Sequence, residues 1–295
     1  MPPEAQVDAP LIVASLLVLG ILGGSLALWI RHIQRPRGTI EDEPGAPAWP
    51  IGWVNFGIFI CAMVISVFVI QNVAAALLFE PPAEGDAPLK LTPWLAVFAV
   101  LFLQLPMLAV FYAARRFYPA FYSGRLNNTE LSVSSAFGKA LPLFLMFLPG
   151  IWIAALFWTS ILSALEEAGA IQTIEPQELI TLFQDGGDPV AIGLLVIMAI
   201  ILAPIVEEII FRGCIYRFLK SQTTLVTAQI ISGSFFALMH ANLMSFVPLV
   251  LVGVFLARVY EKSGNIMVAI WFHAFFNAFS LLMLFITSMS EFIPS

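Results

Sequence analysis

Apolar and polar positions fall in long blocks along this chain, with no strand-like alternation of single residues. Apolar runs near the roughly 20 residues that a helix needs to cross a bilayer recur from end to end. Eight can be drawn: Leu11–Ile30, Ile51–Phe79, Pro93–Ala113, Lys139–Leu165, Val190–Phe211, Leu225–His240, Phe246–Tyr260 and Ile266–Ser288. The sixth and seventh are short and closely joined. Between the blocks lie "RPRGTIEDEPGAPAWP" and "EPPAEGDAPLK", rich in Pro, Gly and charge, which read as water-exposed loops. The pattern predicts an all-α, polytopic membrane helix bundle of about eight spans.

The basic residues give the bundle a direction. The first, third, fifth and seventh connections hold Arg31, Arg35 and Arg37; Arg115, Arg116, Arg125 and Lys139; Arg217 and Lys220; Arg258 and Lys262. The second has only Lys90, and the fourth, Glu166 to Pro189, has six acids and no base. Lys and Arg collect on the cytoplasmic side, so the odd connections are expected in the cytoplasm and both termini outside, in the cell membrane. The N-terminal tail carries Glu4 and Asp8 but no base, so the first run is expected to be a retained span and not a cleaved signal. "NNT" at Asn127 matches a glycosylation sequon but falls on the cytoplasmic side, and is discounted.

Composition agrees. Of 295 residues, 60% are hydrophobic and 11% charged, too little charge to cover a soluble domain of this length. The net charge of −6 and the lack of a basic patch give no reason to expect nucleic acid as a partner. The partners expected are the lipid bilayer and whatever enters it. Cys61 and Cys214 make neither a disulfide framework nor a CxxC metal pair.

Ionisable residues inside apolar spans are rare and point to function by default. Here they are Glu207, Glu208 and Arg212 in the fifth span, His240 closing the sixth, and His273 with Asn277 in the eighth. Glu208 and Arg212 are four apart, share a face and can pair. Glu207 is turned by about 100° from Glu208 and stays out of that pair. His273 and Asn277 share a face, as do Phe236 and His240. Three helices can therefore converge on one free carboxylate, two imidazoles and a carboxamide. A carboxylate in a low-dielectric pocket is a competent base toward water, and imidazole or carboxamide donors can stabilise an oxyanion. Glu207, His240 and His273 would equally form a two-His, one-carboxylate zinc site.

Each feature also has a plainer explanation. A Glu–Arg pair can simply hold helices together, a histidine at a span end can be interfacial, and His273 with Asn277 can be interhelical hydrogen bonding. Phe236 is one of 26 phenylalanines and reads first as packing. A proton-coupled transporter would also place acids and histidines in spans, with Pro204 breaking a helix beside its substrate.

Taken together, "EEIIFR", "FALMH" and "HAFFN" resemble the CAAX prenyl protease type II and bacteriocin-processing family, also called CPBP or Abi. Its pattern is EExxxR, FxxxH and HxxxN on separate membrane helices, and all three occur here in order and intact. The resemblance covers roughly Val190 to Leu284. It implies an intramembrane endopeptidase in which Glu207 activates water, His240, His273 and Asn277 complete the water and oxyanion site, and Glu208, Arg212 and Phe236 support it. It implies a peptide or protein substrate, lipidated in the best-studied branch. The family is better described as glutamate-dependent than metal-dependent, so no cofactor is expected, with zinc as the alternative. The same fold also allows a non-catalytic immunity or scaffold protein. The chain divides into 1–135, about three spans of no recognised family, and a protease-like domain over 136–295 with its core at 190–284. One expectation is awkward: with straight helices bounded as above, His240 lies too deep to meet Glu207.

Overall fold

We describe a computed structural model of the protein over residues 9–34, 44–78, 91–172, 182–183 and 187–291. Helix is the only regular structure among these residues. In chain order the helices are α1 (Ala9–Ile33), α2 (Trp53–Leu78), α3 (Pro93–Phe117), a single turn α4 (Pro119–Tyr122), α5 (Val133–Glu167), α6 (Pro189–Gln222), α7 (Leu225–Leu238), α8 (Phe246–Ser263) and α9 (Ile266–Glu291). The expected all-α polytopic bundle is present. Among the described residues six helices, α1, α2, α3, α5, α6 and α9, are long and apolar enough to cross a membrane. The sixth and seventh expected spans fall on α7, with 14 residues, and on α8, whose last turns carry Arg258, Glu261 and Lys262. At 1.5 Å per residue α7 reaches only about 21 Å, short of a roughly 30 Å hydrocarbon core.

Local sequence sets the helix ends. Thr92 caps α3, Ser132 caps α5, Asp188 caps α6 and Thr224 caps α7, each accepting from a backbone N–H of the first turn. The Asp188 carboxylate also accepts from the Trp94 indole. The Ala191 backbone N–H, then that indole, hold its pKa below the usual carboxylate range. The cap is therefore intact at neutral pH and is lost only as pH falls through that lowered value. Gly264, at φ 62°, ends α8 and turns the chain into α9.

The core lies where α8 and α9 pack between α5 and α6, around Leu148, Val206, Ile210, Leu256, Tyr260 and Phe272, all essentially inaccessible. The outward faces of α1 and α2 stay apolar, with Leu16, Leu19, Leu26, Val54, Phe68 and Leu77 more than 60% exposed. Such a surface suits lipid and would be a liability in water. The closest helix contact is α7 against α8, where a β-carbon on Gly253 would sit 2.5 Å from the Gly233 Cα. Small residues at this crossing let the backbones touch. Gly253→Ala should force the helices apart and lower stability by about 1–3 kcal/mol, read as a fall in melting temperature.

Two features differ from the sequence reading. The loop before α2 is not wholly water-exposed: residues 35–43 lie outside the described residues, but Ala46, Trp49 and Ile51 are buried. The chain there binds the far end of α6. Pro47 and Ala46 carbonyls accept from Arg217 Nε at 2.8 Å and Lys220 Nζ at 2.7 Å, and Trp49 N–H donates to the Arg217 carbonyl. The second loop, Glu80–Lys90, lies outside the described residues. The other difference is the length of α6, which runs past Phe211 to Gln222, carrying Arg217 and Lys220 inside the helix. Their side chains find the docked loop and Glu261, so the charges do not end the helix. The Asn127 sequon residue has a structural role, its Oδ1 accepting from the first N–H of α9, that of Ile266, at 2.8 Å.

Candidate active site

Glu207 is set level with His240 by a helical hairpin. Glu207 lies fifteen residues before Gln222, and His240 fifteen after Leu225, so the two stand a similar number of residues from the α6–α7 turn. The two arms touch: Phe211 and Phe236 meet edge to face at 5.3 Å, and Ser232 Oγ donates to the Phe211 carbonyl. His240 is therefore not too deep. That conclusion came from ending the fifth span at Phe211.

Part of α6 is wound as a π-helix, over Met198–Leu202 and Glu208–Tyr216, the second stretch beginning at the Glu pair. Such windings often mark functional segments. In the first, Ala203 N–H bonds to the Met198 carbonyl, five residues back. Pro204 comes next and has no N–H, so in the same register the carbonyl of Ala199 is left without its helical donor. Asn277 Nδ2 fills that place, donating to Ala199 at 2.8 Å. Pro204 does not break the helix. It opens a backbone acceptor that positions Asn277.

The charged residues separate as the helical spacing predicts, with one addition. Arg212 Nη1 donates to Glu208 Oε1 at 2.8 Å, both side chains fully buried. Arg212 Nη2 donates to the Gly253 carbonyl at 3.1 Å, and its guanidinium lies over the Phe236 ring at 4.6 Å. The addition is His273, whose Nδ1 also meets Glu208 Oε1, at 2.9 Å. Glu208 thus joins the cation to the imidazole. Its bond at Nδ1 turns His273 Nε2 toward Glu207 Oε2, 3.8 Å away. That Glu207 oxygen is buried and has no hydrogen-bond partner in the protein, although the side chain as a whole is 20% exposed. A buried carboxylate oxygen left open calls for an explanation, and a water or a substrate group would supply one.

His240 and Phe236 complete the cluster. His240 Nδ1 lies 2.8 Å from the Phe236 carbonyl, so it is the protonated nitrogen there and Nε2 is the free one. The Phe236 ring packs on His240 at 4.8 Å and edge-on to His273 at 5.5 Å. Phe236 is packing, but packing between both histidines and Arg212. Six of the seven residues singled out in the sequence thus join one connected cluster, and Asn277 is tied to the same helix, α6, through the Ala199 carbonyl. Sequence reasoning missed the carbonyls of Ala199 and Gly253. Pro204 signalled the first; the Gly233–Gly253 crossing has no signal in a single sequence.

Among the described residues no group of three or more His, Cys, Asp or Glu side chains is placed to hold a metal ion.

This is a polytopic helical membrane protein with a buried acid–histidine cluster, and the segment that carries the cluster has known relatives. Residues 189–279 match the family of type II CAAX prenyl endopeptidase, Rce1-like proteins. The chain is 34% identical over 93 residues to the "Putative membrane peptidase YdiL" of Bacillus subtilis (strain 168), a match spanning 32% of this chain and 38% of that protein. No solved structure matches. The resemblance to the CPBP proteases therefore holds over this segment, which contains Glu207, Glu208, Arg212, Phe236, His240, His273 and Asn277.

Proposed function

We propose that the protein is an intramembrane endopeptidase that hydrolyses a peptide bond of a membrane-associated substrate with water activated by Glu207. One observation carries this reading: of two adjacent glutamates, each with one buried oxygen left open, Glu208 is sealed from solvent and bound by Arg212 and His273, whereas Glu207 is partly exposed and turns its open oxygen toward His273 Nε2. A purely structural pair needs only the first. Water held at Glu207 Oε2 gives a proton to the carboxylate as its oxygen attacks the scissile carbonyl carbon. The carbonyl becomes a tetrahedral oxyanion, which in this reading His273 and the second N–H of the Asn277 amide stabilise once substrate is seated. His240 offers Nε2 to the same water. Collapse breaks the C–N bond, and the proton held by Glu207 passes to the leaving amine.

The relatives' printed names support a peptidase, and the apolar surface supports a site reached within the bilayer. By the distribution of Lys and Arg the protein sits in the cell membrane with both termini outside. The direct test compares the termini of membrane proteins in cells carrying wild type or Glu207→Gln. New termini dependent on Glu207 support the proposal, and identical sets would end it. A metal-free reaction also predicts that exhaustive chelation leaves the cleavage rate unchanged. A rate lost on chelation and restored by zinc would instead assign the metal to Glu207, His240 and His273.

A further inference from the structure

Away from the acid–histidine cluster, two arginines share one small pocket where α3, α6 and the docked loop meet. Arg217 is 2% exposed, and Arg115 lines the same pocket with Trp49, Tyr122, Gly213 and Cys214. Among the described residues both guanidiniums find only neutral acceptors. Arg217 donates to the carbonyls of Pro47 and Gly213, and Arg115 Nη1 to those of Tyr122 and Gly124. Among the described residues neither has a carboxylate within salt-bridge distance, unlike Arg212 with Glu208 and Lys220 with Glu261. Arg217 Nη2 is buried with no partner at all. Two like charges facing one pocket repel, and a buried donor left open costs free energy.

A bound anion would answer both costs. The space measures about 10 Å³, room for the centre of a single water-sized sphere. A phosphate with its four oxygens does not fit, and no carboxylate of the described chain reaches in. We infer that the pocket between Arg115 and Arg217 binds one small monovalent anion, chloride in the cell. The anion sits where Trp49 and Pro47 bring the α1–α2 loop onto α6, so it fastens the N-terminal helices to the segment bearing Glu207.

The test is the melting temperature of the purified full-length protein in sodium chloride against sodium gluconate at equal ionic strength. An anion tenfold above its Kd shifts the folding equilibrium about elevenfold, on the order of 3 °C here. Chloride should give the higher value, bromide should replace it, and Arg115→Gln should remove the difference between salts. Equal melting in both salts overturns the inference, and this arm needs no variant to fold. A difference that survives in Arg115→Gln overturns it too, as a general salt effect. A response to inorganic phosphate without one to chloride overturns the assignment to chloride.

Discussion

Glu207→Gln should lower the rate of peptide-bond cleavage by about 10²–10⁴-fold, the range supplied by a positioned general base, while leaving the protein folded. The replacement keeps shape and removes basicity. Its effect on stability should stay within about 1 kcal/mol, because the Glu207 oxygen lost has no protein donor to abandon. Purified protein in detergent or liposomes, assayed on a peptide released from a membrane substrate, gives the rate, and a melting curve on the same sample gives the fold. The contrast with Glu208 sharpens the experiment, since the two carboxylates are neighbours in sequence and opposites in bonding. A Glu207→Gln protein that cleaves normally would remove Glu207 from the reaction.

Arg212→Ala should destabilise the protein by about 3–5 kcal/mol, because it takes the cation from Glu208 in a sealed interior and leaves that carboxylate only the His273 imidazole. It also takes the cation from the Phe236 ring and the donor from the Gly253 carbonyl. The double replacement Glu208→Leu with Arg212→Met should recover most of that loss, since apolar side chains of similar size remove both charges together. It should not recover cleavage. Without Glu208 Oε1 on Nδ1, His273 has nothing to turn Nε2 toward Glu207. Thermal unfolding and cleavage measured on single and double variants separate the two roles. A double variant that regains both stability and rate would show the ion pair to be structural glue only.

These expectations draw on information that the sequence carries unevenly. Bundle class was legible because apolar runs of membrane length are a composition effect that no tertiary contact has to supply. The split between Glu207 and Glu208 was legible because one step along a helix is a fixed rotation, and Arg212 four residues on selects one carboxylate. The end of α6 was not. Arg217 and Lys220 look like a water-facing terminus until the loop carbonyls of Ala46 and Pro47 are seen to receive them, and those partners are about 170 residues away in sequence. The depth of His240 was misread for the same reason, since it follows from where the hairpin turns. The tie between Glu208 and His273 joins residues 65 apart. Spacing within a helix is local, and partners between helices are not.

The docked loop has a consequence for what counts as a unit. The family likeness begins at residue 189, yet the segment it describes is bound from outside its own borders. Ala46 and Pro47 hold one end of α6, Asn127 starts α9, and Asn128 bonds back to Gly45. A gene fragment cut to the recognisable text would lose these ties and the α5 wall of the core. The ancestry legible in the letters and the piece of matter able to stand alone have different edges.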